Sequence, residues 1–484
     1  MTDYLKTFCF LFFFCALSST SRAQIADSLK IGVGTVGTAA SENYQPLWLV
    51  SNKFGTITDQ KSDLSTHLRV TNRHRFGPHG KDSAAVYYVS YGFDLYNNDH
   101  FQKLFFEEGF VKAGYKNWQI RAGRFEEVTG DLDPELSSGS LGISGNSLPI
   151  PKVGFVVTDY TNVPFTHGWL QFKGQFSHGW FGNDRYMKDA FLHEKTLYLR
   201  FGKKKLKLYG GIQHFAEWGG RRGSLQLEKS WKGFIDVVLV KEVDDGSVGS
   251  AVMPNRPGDQ RGLLEVGIVW ENDQLILHGY NQTPFDSGLD IDFRNVDKLI
   301  GFSFVSKQKK TFIQKVTGEI LYTKDMLSFV PPSGRQSYYN NGFYKTGWEY
   351  HNFIIGTPLF TNRARASHYF YAIKPYNWDA PDNTIEGNNN IINNRVVGGH
   401  LGLLYGIAPH LNTKTLVTFT RNYGTHAPGQ FSPHKDQWYT LQQFSYTVPK
   451  GFHLSLGVGY DRGDLSKNVG VSFGIEKELS IRNK

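Results

Sequence analysis

Residues 452–460, FHLSLGVGY, decide the fold, because large apolar side chains alternate with small or polar ones at every position. Alternation with a period of two predicts a β-strand that buries one face in an apolar environment. One face of that strand would carry Phe452, Leu454, Leu456, Val458 and Tyr460, and the other would carry His453, Ser455, Gly457 and Gly459.

The same alternation recurs along most of the chain. Residues 468–476 repeat it with Gly and Ser opposite Val, Phe and Ile, and residues 85–95 and 169–180 follow it with aromatic side chains. About eighteen such segments lie between Ser83 and Ile475, whereas convincing amphipathic helices are few. Many segments end in an aromatic residue, among them Trp118, Trp180, Trp270, Tyr322, Trp348, Tyr371, Trp438 and Tyr460. The pattern is all-β.

Two all-β architectures would give this alternation. A propeller or sandwich hides its apolar face and, in a propeller, repeats every 40 to 50 residues, but no such repeat is present. A transmembrane barrel turns its apolar face to lipid and its small or polar face to the lumen, with aromatic residues at both membrane interfaces. The sequence therefore predicts a single transmembrane antiparallel β-barrel of about 18 strands with long external loops.

The lengths of the connections favour the barrel. Short turns are expected near residues 115–116, 271–274, 306–310, 408–411 and 448–451, and long loops at 126–167, 241–262, 283–298, 324–346, 376–393 and 421–437. Periplasmic turns are short and external loops long in such barrels. Between Asn183 and Lys241 the alternation of short and long slips by one, which suggests a strand near residues 224–231.

Composition excludes a helical membrane protein. The 484 residues are 40% hydrophobic and 15% aromatic, carry a formal charge of +9 and have a mean hydropathy of −0.38. No apolar run after Gln24 reaches the roughly 20 residues that a membrane helix needs. Low hydropathy is expected of a barrel, because only alternate residues meet lipid.

The N-terminus reads as a cleaved export signal. Lys6 precedes an apolar run at residues 8–17, and small residues then precede Gln24. Cleavage would remove Cys9 and Cys15, the only cysteines, and leave a charge of +8, which suits general attraction to anionic surfaces. We therefore expect a signal at 1–23, a short periplasmic segment at 24–64 and an outer-membrane barrel at 65–484.

Several strings, taken in order, resemble the capsule-assembly Wzi family of bacterial outer-membrane proteins in its Bacteroidetes-type form. They cover residues 46–404 and comprise PLWLVSNKFG (46–55), AGRF (122–125), LSSGSL (136–141), NSLPIP (146–151), LYGGIQH (208–214), EWGG (217–220), DKLIG (297–301), YYNNG (338–342), GWEY (347–350) and IGTPL (355–359). The resemblance implies a barrel of about eighteen strands that holds or assembles capsular or exopolysaccharide. Better-known members carry an N-terminal periplasmic helical bundle, whereas residues 24–64 here are short and Gly-rich.

Candidate chemical groups have simpler interpretations. Glu126, Glu127, Asp131 and Asp133 could supply the paired carboxylates of a glycoside hydrolase, but the neighbouring Asp133-Pro134 turn signal favours a solvated loop. The Asp residues of FDSGLDID (285–292) lack the Gly and Glu positions of an EF-hand. His193-Glu194 and His214 with Glu217 have near-metal spacing, yet i and i+3 point to opposite faces of a strand, so neutral hydrogen-bonding His is expected.

Loops that combine aromatic and amide side chains are the expected glycan surfaces, because sugars offer flat apolar faces and a rim of hydroxyl groups. An aromatic girdle with turn residues is the competing interpretation. The predicted glycan-binding residues are Tyr338, Tyr339, Asn340, Asn341, Trp348, Tyr376, Asn377, Trp378 and Asp379.

We therefore expect a non-enzymatic, monomeric outer-membrane barrel that binds or anchors surface polysaccharide, contacts outer-membrane lipid and needs no cofactor, metal or nucleic acid. The alternatives are a general diffusion porin with the same fold and a membrane-embedded glycan hydrolase that uses the loop carboxylates.

Overall fold

The computed structural model describes residues 28–481 apart from 77–86, 242–257, 287–290, 293, 309–310, 330–333, 382–384, 386–389, 428 and 449–450. The predicted export signal at 1–23 lies outside the described residues. None of the described helices has the length and apolar character needed to cross a bilayer.

Eighteen antiparallel strands form one closed barrel. Each strand pairs with the next along the chain. The last strand pairs with the first over Leu29–Ala40, so the sheet closes on itself and leaves no edge strand. The strands are β1 Leu29–Ala40, β2 Ser62–Phe76, β3 Tyr87–Asn98, β4 Lys103–Tyr115, β5 Trp118–Arg124, β6 Lys152–Asn162, β7 Leu170–Gly182, β8 Lys188–Phe201, β9 Leu206–Arg222, β10 Asp259–Glu271, β11 Leu275–Asp286, β12 Lys298–Ser306, β13 Ile313–Tyr322, β14 Val396–Ala408, β15 Leu411–Asn422, β16 Lys435–Val448, β17 Phe452–Gly463 and β18 Lys467–Ile481.

The predicted fold class and strand number are confirmed, but the predicted start of the barrel at residue 65 is wrong. Residues 30–39 pair with β2 and residues 29–40 pair with β18, so β1 closes the barrel. The Gly-rich string around β1 obscured the strand, because Gly32 and Gly34 occupy its lumen face in place of larger side chains. A Cβ on Gly34 would lie 2.2 Å from the ring of His67.

Two further predictions of strands are corrected. Residues 126–167 contain β6, whose small residues weakened the alternation. The aromatic positions near Trp348 and Tyr371 lie in a long connection whose described part holds strands of two or three residues and a short helix, α3 (Arg363–Ala366). The alternation of short and long connections is irregular between Asn183 and Lys241 because helix α2 (Trp231–Val238) lies there in place of the expected strand. Only Leu225–Gln226 extend the sheet in this stretch.

The outer wall carries the apolar face that the sequence predicts. Leu456 and Val458 of β17 and Phe473 and Ile475 of β18 are exposed although they are large and apolar. Single exposed apolar residues are common on soluble proteins, but a band of them around the whole barrel is not. In barrels of this kind a lipid bilayer covers such a band. We call the end of the barrel that holds Leu29 and Ile481 the terminal end, and the opposite end the loop end.

Three long connections at the loop end enter the lumen, and we call their described residues the plug, namely those of 41–61, 125–151 and 323–395. Leu136, Ser140 and Trp348 are at most 1% exposed, which places the centre of the plug well inside the molecule. These connections were predicted as external loops or, for residues 41–61, as a periplasmic segment. The plug contains most of the hydrophobic core, including Leu49, Leu141, Tyr339, Ile355 and Phe360.

Small residues on the lumen side of β17 and β18 allow the plug to approach the wall. Helix α1 (Leu47–Val50) lies against them, and a Cβ on Gly470 would be 2.6 Å from Pro46 Cδ and 2.8 Å from Leu49 Cδ1. The glycine and serine positions that identified the lumen face in the sequence are therefore a docking surface for the protein's own chain.

Candidate functional site

The central plug segment, residues 125–151, is held by polar side chains that point inward from the barrel wall. Glu319 of β13 accepts hydrogen bonds from Ser137 Oγ (2.6 Å) and Ser138 N (2.7 Å). His400 of β14 lies 2.7 Å from the carbonyl oxygen of Leu136. Because the backbone of this segment has few partners of its own, the wall supplies the acceptors and donors that a buried loop requires.

A second layer of the plug covers this segment from the other side. Trp348 Nε1 donates to the carbonyl oxygen of Gly142 (2.7 Å), and the Tyr339 hydroxyl donates to that of Leu141 (2.7 Å). Asn340 Nδ2 donates to the carbonyl oxygen of Ile391 (2.8 Å) within the same connection. Each contact joins two parts of the plug, so these side chains hold its layers together.

The first predicted glycan-binding group is consequently interior. Tyr338, Tyr339 and Trp348 are 1–5% exposed, Asn340 is buried and Asn341 half-buried. Asn341 Oδ1 accepts hydrogen bonds from the backbone N–H groups of Phe343 and Tyr344. Sequence analysis failed here because the composition that suits sugar stacking also suits a buried aromatic layer with amide caps, and Tyr338, Tyr339 and Trp348 present no open ring face.

The second predicted group lies at the loop end, near the rim. Trp378 is buried and its carbonyl oxygen accepts from Arg222, Tyr376 packs beside it, and Asp379 forms an ion pair with Lys188. Asn377 and Asp379 are exposed. The exposed members of this group stay a prediction for glycan contact.

Of the loop carboxylates predicted to be solvated, Glu127 and Asp131 are instead paired with cations, whereas Glu126 is exposed. Glu127 forms ion pairs with Arg121 and Lys152, and Asp131 with Lys173, all inside the lumen. Burial raises the pKa of Glu127, but the two cations outweigh burial and lower its pKa to about 2. Carboxylates neutralised in this way tie the plug to the wall and are poorly suited to act as a general acid.

The histidines behave as strand geometry predicts. His193 and Glu194 point to opposite sides of β8, since Glu194 bonds Lys152 Nζ in the lumen while His193 lies on the outer wall beneath Phe234 of α2. His214 lies 3.1 Å from Gln260 Oε1, a hydrogen-bonding distance. No group of three metal-ligating side chains in the described part of the chain is arranged to hold a metal ion.

A cavity of about 750 Å³ opens above the central segment at the loop end. Its volume falls within the 300–1,000 Å³ typical of small-ligand sites. Apolar walls alternate with amide and charged groups, and the wall and all three plug connections contribute. The lining includes Ser51, Ile57, Asp59, Gln60, Asn98, Gln102, Lys103, Phe105, Arg124, Asn146, Leu148, Asp184, His351, Asn352, Phe353, Asn362, Arg365 and His368.

An ionic clasp forms one side of this cavity. Arg365 Nη1 donates to both carboxylate oxygens of Asp59 (2.6 and 2.7 Å), and its Nη2 donates to the carbonyl oxygen of Gln45 (2.9 Å). Burial raises the pKa of Asp59, but Arg365 and His368 outweigh burial and hold that pKa below its ordinary value. The clasp joins α3 to residues 41–61 and holds this side of the cavity in place beside α1.

A tight hairpin forms the opposite side. Glu349–Tyr350 pairs with Phe353–Ile354, and His351 and Asn352 between them have φ of 50° and 67°. Two successive positive φ values in a two-residue loop are the signature of a type I′ turn. The turn places His351 and Asn352 at the cavity, where His351 Nδ1 lies 3.2 Å from Asp184 Oδ2.

The wall has a notch beside this hairpin. Apart from a bulge at Glu107, β4 pairs with β3 along its whole length, but only residues 109–115 pair with β5, which ends at Arg124. Gly123 has a φ of 115°, and a Cβ there would lie 2.0 Å from the carbonyl oxygen of Gly109. This bend turns Arg124 toward the cavity, where it donates to Phe106 O (3.2 Å) and to the Tyr350 hydroxyl (3.1 Å).

Sequence reasoning missed this cavity because its lining comes from separate stretches of residues 47–368. The one local signal was Asn352, a turn residue between the aromatic residues Tyr350 and Phe353 and just after the string GWEY (347–350). The string AGRF also contains Gly123 and Arg124, but nothing local indicates that the side chain reaches the lumen mouth.

Comparisons with known proteins show which solved structures share this fold. No family model matches the chain, and no curated protein matches it. The solved structure of Wzi from Escherichia coli, an outer-membrane protein involved in group 1 capsule assembly and a carbohydrate-binding β-barrel, aligns over 95% of this chain and 85% of its own with a TM-score of 0.54 and 13% identity. Pseudomonas aeruginosa OccK5 (OpdH) aligns over 94% of this chain and 98% of its own with a TM-score of 0.48 and 10% identity. At these identities the likeness is one of fold, and this chain has the fold of outer-membrane β-barrels.

Proposed function

We propose that this barrel binds surface polysaccharide in the loop-end cavity and serves capsule or exopolysaccharide assembly without catalysing a reaction. The observation that carries the proposal is the combination of a plugged lumen with a 750 Å³ cavity at its mouth. Amide, charged and aromatic groups line that cavity in the mixture that sugar hydroxyls and ring faces require. The loop end would face outward, because external loops are the long connections of such barrels.

The plug argues against a general diffusion porin. Porins keep a water-filled lumen, whereas barrels plugged by their own chain do not. The central segment here is fixed on both sides, by Glu319 and His400 from the wall and by Tyr339 and Trp348 from the covering layer. A hydrolase is also disfavoured, because Glu127 and Asp131 are each paired with cations.

Deletion of the gene, followed by complementation, tests the proposal. We expect cells without the protein to release polysaccharide into the medium, and the wild-type gene to restore its retention. Purified protein in planar bilayers should give no large, steady channel conductance. Unchanged retention together with porin-like conductance would contradict the proposal and favour the diffusion porin.

A further inference from the structure

Arg124 differs from the other charged groups of the cavity in its partners. The cavity's other charged groups are paired, since Asp59 bonds Arg365, Asp184 faces His351, and Lys103 bonds Asp99. Arg124, by contrast, has no carboxylate partner among the described residues, and its two hydrogen bonds go to the neutral oxygens of Phe106 and Tyr350.

The guanidinium group of Arg124 is also held in place with donors to spare. It carries five N–H donors in a fixed planar arrangement, and the two hydrogen bonds use only part of them. Tyr350 is 5% exposed and belongs to the type I′ hairpin, so one of the two anchors is rigid. A half-buried, anchored guanidinium with free donors matches the geometry of a carboxylate better than that of a single hydroxyl group.

The setting at the cavity wall strengthens this interpretation. Arg124 is the last residue of β5, beside the part of β4 that pairs with β3 but not with β5. The cavity is therefore open to the loop end at this point. Phe105 and Phe353 line the same cavity and offer apolar surface next to the charge. An acidic sugar presents this combination, a carboxylate on the rim of a ring with apolar faces.

We propose that the cavity selects acidic polysaccharide and that Arg124 binds the carboxylate of a uronic acid residue. This inference rests on the proposed function, because it names the class of glycan that the same cavity takes.

Carboxyl reduction of the polysaccharide tests the proposal without altering the protein. Full-length protein in nanodiscs is titrated with polysaccharide purified from the surface of the source cells, before and after its uronic acids have been reduced to neutral hexoses. We expect reduction to weaken binding about tenfold or more, as loss of a charge-assisted hydrogen bond does. Added salt should weaken binding of the native polymer but not of the reduced one.

Arg124→Gln tests the residue. We expect it to weaken binding of the native polymer by a similar factor and to leave the reduced polymer unaffected, while Arg124→Lys retains part of the preference. Arg221→Gln is the matched control, because Arg221 is exposed at the loop end and pairs with Asp189 outside the cavity.

The outcomes separate the two proposals. Equal binding of native and reduced polymer by the wild-type protein would overturn the acidic selectivity while leaving polysaccharide binding intact. Binding of neither polymer would overturn both. The role of Arg124 would be overturned if Arg124→Gln kept the full preference for the native polymer. The heat-dependent gel shift of a folded barrel would show that this variant is folded.

Discussion

At the scale of single residues, the glycines that face the lumen make room for the plug. Gly459 and Gly470 leave room for Pro46 and Leu49, because a Cβ at either position would come within 3 Å of both side chains. The rule that small residues face the lumen thus has a steric cause here.

Gly470→Ala tests that cause. The added methyl group would push α1 away from the wall, and overpacking of this kind costs about 1–3 kcal/mol. We expect a lower unfolding temperature of the purified barrel, measured by circular dichroism in detergent. Gly318→Ala is the control, because a Cβ on Gly318 meets no atom within 4 Å. Equal effects of the two substitutions would contradict the steric explanation.

Glu127 gives a prediction of pH dependence. Its pKa falls from an ordinary value near 4.5 to about 2 in the folded chain, so its ion pairs contribute stability above pH ~4.5 that is lost as the pH falls toward 2. The shift corresponds to about 3 kcal/mol. Glu127→Gln should flatten the unfolding temperature between pH 2 and 4.5, whereas Asp379→Asn, which removes an exposed carboxylate, should leave the slope unchanged.

At the scale of elements, the strands were predictable and the plug was not. Strands such as β17 and β18 carry their own signal, since one face meets lipid along their whole length. Residues 125–151 and 338–362 mix apolar and polar side chains without a period, because a buried loop takes its partners from all directions. Their wall contacts, such as Ser137 with Glu319, join residues 182 positions apart, and no local pattern encodes that distance.

Glu319→Ala should loosen the plug. Without the carboxylate, Ser137 Oγ, Ser138 N and the Tyr280 hydroxyl lose their acceptor in a buried place. Each unsatisfied donor costs about 1–3 kcal/mol. We expect intermittent conductance in planar bilayers where the wild-type protein is silent. Glu478→Ala, which removes an exposed ion pair with Lys30 at the terminal end, is the control and should stay silent.

At the scale of the whole molecule, the sequence predicted the barrel, its membrane-facing side and its approximate strand number. The total of eighteen was reached although β1, β2 and β6 were missed, because aromatic positions of the plug were counted as strands. The candidate site was predicted only in kind, as aromatic and amide groups near the loop end. Its location at Asp59, Arg124, His351 and Arg365 depends on contacts between connections far apart in the sequence.

Polysaccharide binding by a variant with an obstructed cavity tests the central claim most directly. Gln102 lines the cavity with an exposed side chain, so Gln102→Trp should obstruct the cavity without disturbing the plug. Lys467→Trp, at an exposed strand end outside the cavity, is the control. By calorimetry with purified surface polysaccharide, we expect saturable binding by the wild-type protein and Lys467→Trp, and at least tenfold weaker binding by Gln102→Trp. Absence of saturable binding by the wild-type protein, or equal binding by all three proteins, would contradict the account.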